Sequence, residues 1–110
     1  MTDSRLDPDR IYEALVSAGE EWADAEAAAQ LLEETRKTVH AEEMRKSSAS
    51  SIAGKEMEAY ASEIYRRFVE GMVSARKAAN KARVRYDSAK VLSELRRSQE
   101  SSRRAEMGMR

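Results

Sequence analysis

The side chain best suited to acid–base or metal chemistry in this sequence is its single histidine, His40. Glu43 stands three residues after it and Glu33 seven before, so on a helix the three lie on neighbouring turns. A di-iron centre in a helical bundle needs a glutamate three residues before a histidine on each of two helices, with further carboxylates opposite. Lys37 occupies that position here, and there is no second histidine. His40 is therefore expected to be a solvent-exposed helical histidine. A Ser-His-Asp triad would have to draw on the same residue, with no glycine elbow to present a serine. Gly19, Gly54, Gly71 and Gly108 are too scattered to form a phosphate-binding loop. The absence of cysteine removes thiol nucleophiles, thiolate zinc sites and disulfides together. The acidic pairs Glu20–Glu21, Glu33–Glu34 and Glu42–Glu43 read as a solvated helix face rather than a general acid and base. The expectation is a chain that is not an enzyme and that uses no metal and no cofactor.

Charge carries a sharper pattern. Net charge is zero, yet residues 76–110 hold 11 of the 20 basic side chains and only 4 of the 20 acidic ones. Within that third, Arg76, Arg83, Lys90, Arg97 and Arg104 recur every seventh residue, which places them along one helical stripe. Such a stripe can dock an acidic protein surface or track a phosphate backbone. Intrahelical pairing with Asp87, Glu94 and Glu100, each three or four residues from a cation, is the competing use of the same residues. No aromatic residue follows Tyr86, so a base-stacking platform is missing.

The elements that position these residues are helices. With 36% charged residues, 5% aromatic, one proline and four glycines, the composition favours long helices over sheet. Residues 1–6 are expected to be disordered. Asp7-Pro8 reads as a helix start, with Asp7 as cap and Pro8 in the first turn, where its missing N–H is harmless. Apolar residues then follow a 4-3 spacing through Ile11, Leu15, Ala18, Trp22, Ala25, Ala29, Leu32 and Val39. This is the period of helix-on-helix packing. Gly19 leaves open a kink or a split in this arm, and Trp22 is its expected core anchor. The run SSASSIAG, residues 47–54, is the one clear internal break. A second seam follows through Met57, Ala61, Ile64, Phe68, Met72, Ala75, Ala79, Ala82, Tyr86 and Ala89.

Folding back at the serines sets Leu32 by Phe68, Ala29 by Met72, Ala25 by Ala75, Trp22 by Ala79, Leu15 by Tyr86 and Ile11 by Ala89. Large side chains then face small ones. The expected fold is thus all-α: a long, coiled-coil-like antiparallel helical hairpin over residues 7–105. Arm one spans 8–46, the turn 47–54 and arm two 55–105, and residues 106–110 form a frayed tail. A hairpin buries one face of each arm, yet Tyr12, Val16, Val69, Val73, Val84, Val91 and Leu95 lie off the seams at helical spacing. Exposed apolar stripes of this kind mark interfaces. The simplest closure is a homodimer forming a four-helix bundle.

The run ARVRYDSAKVLSELRRSQESSRRAEM, Ala82 to Met107, resembles the C-terminal part of small helical proteins encoded by tailed phages and prophages. The resemblance covers about a quarter of the chain and implies no catalytic residue. It implies an accessory role in phage DNA metabolism. The expected function is that of a non-enzymatic, self-associating protein that binds another macromolecule. One alternative is a nucleic-acid-binding accessory of phage recombination or replication, and another is a virion assembly or scaffolding protein. No apolar run approaches the ~18 residues of a membrane span, and MTDSRLDPDR lacks the apolar core of a secretory signal. The expected location is therefore the cytoplasm, that of the host cell if the protein is phage-encoded, with no membrane contact.

Overall fold

A computed structural model describes residues 7–108. The disorder expected for residues 1–6 lies outside them. Three helices account for the described chain: α1 (Pro8–Lys46), α2 (Ile52–Ala61) and α3 (Glu63–Gly108), and no strand occurs among the described residues. The protein is all-α.

Asp7 starts α1 as its chemistry demands. Its carboxylate accepts the backbone N–H of Asp9 at 2.9 Å, and its carbonyl accepts that of Ile11 at 2.9 Å. The helix runs unbroken through Gly19, so the arm is not split there. It ends on Arg45 and Lys46, cations placed where the macrodipole favours them. The break is shorter than the serine run suggested, because helix resumes at Ile52. Ser47 accepts from Ala49 N–H at 3.1 Å and donates to the Glu58 carboxylate. Ser51 caps α2, its hydroxyl accepting the Gly54 N–H at 3.0 Å.

The second arm is not one helix. Ser62 adopts extended geometry (φ −69°, ψ 146°), closing α2 through its own N–H to Ala59 O at 3.2 Å. Its hydroxyl then accepts the Tyr65 N–H at 3.1 Å, so one serine ends α2 and caps α3. This break re-phases the seam. The buried positions become Ala59 and Tyr65, with Ser62 half-buried, while Met57 and Ile64 are left 73% and 52% exposed. Helix α3 also continues through Glu106 to Gly108, where a frayed tail was expected.

Two compact units divide the chain. In Ala25–Ala79, the latter part of α1 runs antiparallel to the start of α3, with α2 at the closed end. Ala29, Ala59 and Ala79 are at most 1% exposed, with Tyr65 at 9%. Leu32, Phe68 and Met72 are half-buried around them. In the unit formed by Met1–Asp24 and Asn80–Arg110, the start of α1 lies antiparallel to the rest of α3. Ile11 and Ala82 are buried here. The Tyr86 ring meets the Trp22 ring at 5.3 Å between centroids and lies beside Gly19, about one turn along from the expected Leu15. Among the described residues, alanine is the only type buried to within 2% of completely, and no large side chain reaches that level.

Candidate interaction surfaces

Helical geometry explains which apolar residues remain outside. Val84, Ser88 and Val91 each follow a seam position, Ala82, Tyr86 and Ala89, by two residues. Two residues are 200° of rotation, so they occupy the back of α3. Val84 is 60% exposed and Val91 63%, and Leu95 continues the row at 49%. Val84, Asp87, Ser88 and Val91 line an open hollow of about 360 Å³. Tyr12 and Val16 instead follow Ile11 and Leu15 by one residue, which puts them on a flank of α1. They are 69% and 41% exposed. Tyr12 also borders a hollow of about 210 Å³ between Ile11 and Leu15 on α1 and Ser93, Arg96 and Arg97 on α3.

In the other unit Val73 is exposed, whereas Val69 is half-buried beside Phe68 and offers little free surface. Ile52, Met57 and Tyr60 of α2 are exposed apolar residues that periodicity had missed or placed inside. Their exposure follows from the break at Ser62, which turns Ala59 inward instead.

The basic stripe also divides. Arg76 is committed internally. Its guanidinium donates to both oxygens of Glu33 at 2.9 and 2.8 Å, and to both of Glu26 at 2.8 and 3.0 Å. These bonds, first from Glu33 and then from Glu26, push Arg76 well above its ordinary pKa. Reciprocally, the Arg76 bonds hold Glu26 and Glu33 below the ordinary carboxylate value of 4.5, against the opposing effect of burial. Arg76 thus links the arms and is not part of an outward stripe. Arg83, Lys90, Arg97 and Arg104 are exposed, and none forms an ion pair among the described residues. The expected pairs with Asp87 and Glu94 are not formed, and Glu100 pairs with Arg96 at 3.2 Å. Arg85 joins Glu21 across the arms instead.

His40 is not the exposed residue its spacing suggested. It is half-buried, its ring 4.1 Å from that of Tyr60 and 5.5 Å from that of Tyr65, and the two tyrosines meet edge to face at 5.5 Å. The His40 Nε2 is buried and makes no hydrogen bond within the protein, as is true of Trp22 Nε1 and Arg96 Nε. An unpartnered buried polar atom costs about 1–3 kcal/mol. Glu43, 8% exposed, is bonded by Lys46 at 2.8 Å and held below its ordinary pKa by that contact, with Ser62 assisting against burial.

Among the described residues no three His, Asp or Glu side chains group as metal ligands, and no helix is long and apolar enough to cross a membrane. Compared with known proteins, the chain matches no family, no curated protein and no solved structure.

Proposed function

We propose that this chain is a non-enzymatic, self-associating helical protein of phage or prophage type that works in the cytoplasm by binding another macromolecule. The observation carrying self-association is the apolar row Val84, Val91 and Leu95 on the back of α3, beside a core in which, among the described residues, only alanines are completely buried. A chain that hides so little of its large apolar surface gains more by covering it with a second copy than by remaining alone. The proposed state is a homodimer in which the backs of two α3 helices pack about a two-fold axis. A square four-helix bundle buries neighbouring faces of each helix, and a row 200° from the seam does not fit it. Tyr12 and Val16, on the α1 flank, stay outside this contact.

Sedimentation equilibrium at micromolar concentration tests this. The parent is expected to be dimeric, and Val91→Asp to dissociate it by placing a charge in the buried row. Ser17→Asp, the same charge on an exposed position of α1, is expected to leave it dimeric. A monomeric parent that is fully helical ends the proposal.

The partner surface is the row Arg83, Lys90, Arg97 and Arg104. Among the described residues none of the four forms an ion pair, which favours an outside counter-charge over intrahelical pairing. An acidic protein is the first reading and nucleic acid the second. Reversing Arg83, Lys90 and Arg97 to Glu is expected to abolish partner capture while circular dichroism remains helical, since all three residue types are good helix formers. Binding of the parent to DNA with a log–log salt slope of about −0.7 to −0.9 per neutralised phosphate would select the nucleic-acid reading. A folded triple variant that retains every partner removes the stripe from the function.

A further inference from the structure

The closed end of the hairpin holds a cleft of about 160 Å³ lined by Arg36, Lys37, His40, Tyr60 and Tyr65. Arg36, Lys37 and His40 occupy positions i, i+1 and i+4 of α1, so their side chains emerge on one side of it. The two tyrosines come from different helices, Tyr60 from the end of α2 and Tyr65 from the start of α3. The break at Ser62 is what brings both rings against one imidazole.

The charge of this cleft is uncompensated. No acidic residue lines it, and among the described residues neither Arg36 nor Lys37 forms an ion pair. Of the acids three residues from a member of this cluster along α1, Glu33 before Arg36 and Glu43 after His40 are already held by Arg76 and Lys46, and Glu34 before Lys37 forms no ion pair among the described residues. We propose that the cleft between Arg36, Lys37, His40 and the Tyr60–Tyr65 pair binds a phosphate group, as the free ion or as the monoester of a small aromatic molecule. Two free cations match a dianion in charge. The cleft, about 160 Å³ and open to solvent, has room to admit a phosphate. Arg36 and Lys37 supply charge-assisted donors, and the tyrosine hydroxyls add neutral ones. Tyr60, 60% exposed, swings aside as the ligand enters, and the His40 nitrogen left without a partner gains one. In the monoester the exposed Tyr60 ring offers a surface on which the aromatic group stacks.

The single histidine makes the test direct, because its imidazole gives one Cε1–H signal in the NMR spectrum. The full-length protein is titrated at one fixed, near-neutral pH with inorganic phosphate, with phenyl phosphate, and with sodium chloride at matched ionic strength. A saturable shift of the His40 signal with either phosphate, absent with chloride, is the expected result. The tighter of the two phosphates identifies the free ion or the ester as the ligand. Arg36→Gln and Lys37→Gln, both at exposed positions, are each expected to weaken binding about tenfold with the fold unchanged. Arg45→Gln, outside the cleft, is expected to leave it intact. Shifts that are linear and equal for phosphate and chloride overturn the proposal, as does binding that survives both cleft substitutions.

Discussion

Replacing glycine by alanine at two helical positions is expected to have opposite effects. At Gly19, inside α1, an added Cβ would stand 3.5 and 3.7 Å from two ring carbons of Tyr86, an ordinary contact. Alanine is the better helix former by roughly 1 kcal/mol, so Gly19→Ala is expected to stabilise the protein by about 0.5–1 kcal/mol. At Gly54 the same methyl would lie 3.0 Å from Ala49 Cβ and 3.0 Å from Ser51 Oγ. That hydroxyl is the cap of α2, accepting the N–H of Gly54 itself. Displacing it forfeits a cap of about 1 kcal/mol, and the clash with Ala49 adds an overpacking cost of about 1–3 kcal/mol. After the helix-propensity gain, Gly54→Ala is expected to destabilise by about 1 kcal/mol or more, and to stand about 2 kcal/mol below Gly19→Ala. Urea unfolding followed by circular dichroism, at one protein concentration because the proposed association would add to stability, measures both. In a Ser51→Ala background the penalty at Gly54 should shrink, since the cap is already gone. If Gly54→Ala stabilises as much as Gly19→Ala, or its cost is unchanged without Ser51, the account of the loop is wrong.

Acid is expected to weaken the fold through the carboxylates that Arg76 and Lys46 hold. The folded-state pKa values of Glu26, Glu33 and Glu43 are depressed, so their contribution is complete above the ordinary value of 4.5 and is lost as pH falls through the lower folded values. Urea midpoints should therefore be flat from neutrality to about pH 5 and decline below it. Arg76→Gln should lower the neutral midpoint and make that decline shallower; an unchanged acid limb would count against the fork. His40→Phe keeps the ring contacts with Tyr60 and Tyr65 while removing the unpartnered Nε2, so it should be neutral or stabilising by up to about 1 kcal/mol. A loss of more than about 1 kcal/mol in thermal or urea unfolding would mean that the nitrogen has a partner.

What could be read from sequence was what depends on near neighbours. The 4-3 spacing from Ile11 to Leu32 identifies the inward face of α1, and Asp7-Pro8 and the serine run mark its ends. The break at Ser62 escaped, because Ala61-Ser62-Glu63 contains neither glycine nor proline and its serine acts only through local capping. That one residue displaced Met57 and Ile64 from the seam and put Ala59 and Tyr65 into it. His40 was misjudged for a related reason: Tyr60 and Tyr65 are twenty or more residues away and meet it only once α2 and α3 part company. Arg76 belongs to the heptad of cations along its own helix, but Glu26 and Glu33, on the other arm, decide its role. The outward turn of Val84, Val91 and Leu95 was legible from spacing alone, since it follows from counting residues after the seam.

The four alanines at the centre of the packing, Ala29, Ala59, Ala79 and Ala82, have a mechanical consequence. A methyl group lets two backbones approach closely but is too short to key into the opposite helix, so such a seam sets distance and leaves alignment weakly specified. Axial sliding of one helix past another is then resisted mainly by the few long side chains that reach across. In Ala25–Ala79 the Arg76 fork on Glu26 and Glu33 is the chief restraint. In the other unit it is the Trp22–Tyr86 contact, with Arg85 and Glu21 beside it. Each acts as a detent on a smooth rail: releasing it leaves the helices close together but free to settle in a neighbouring notch.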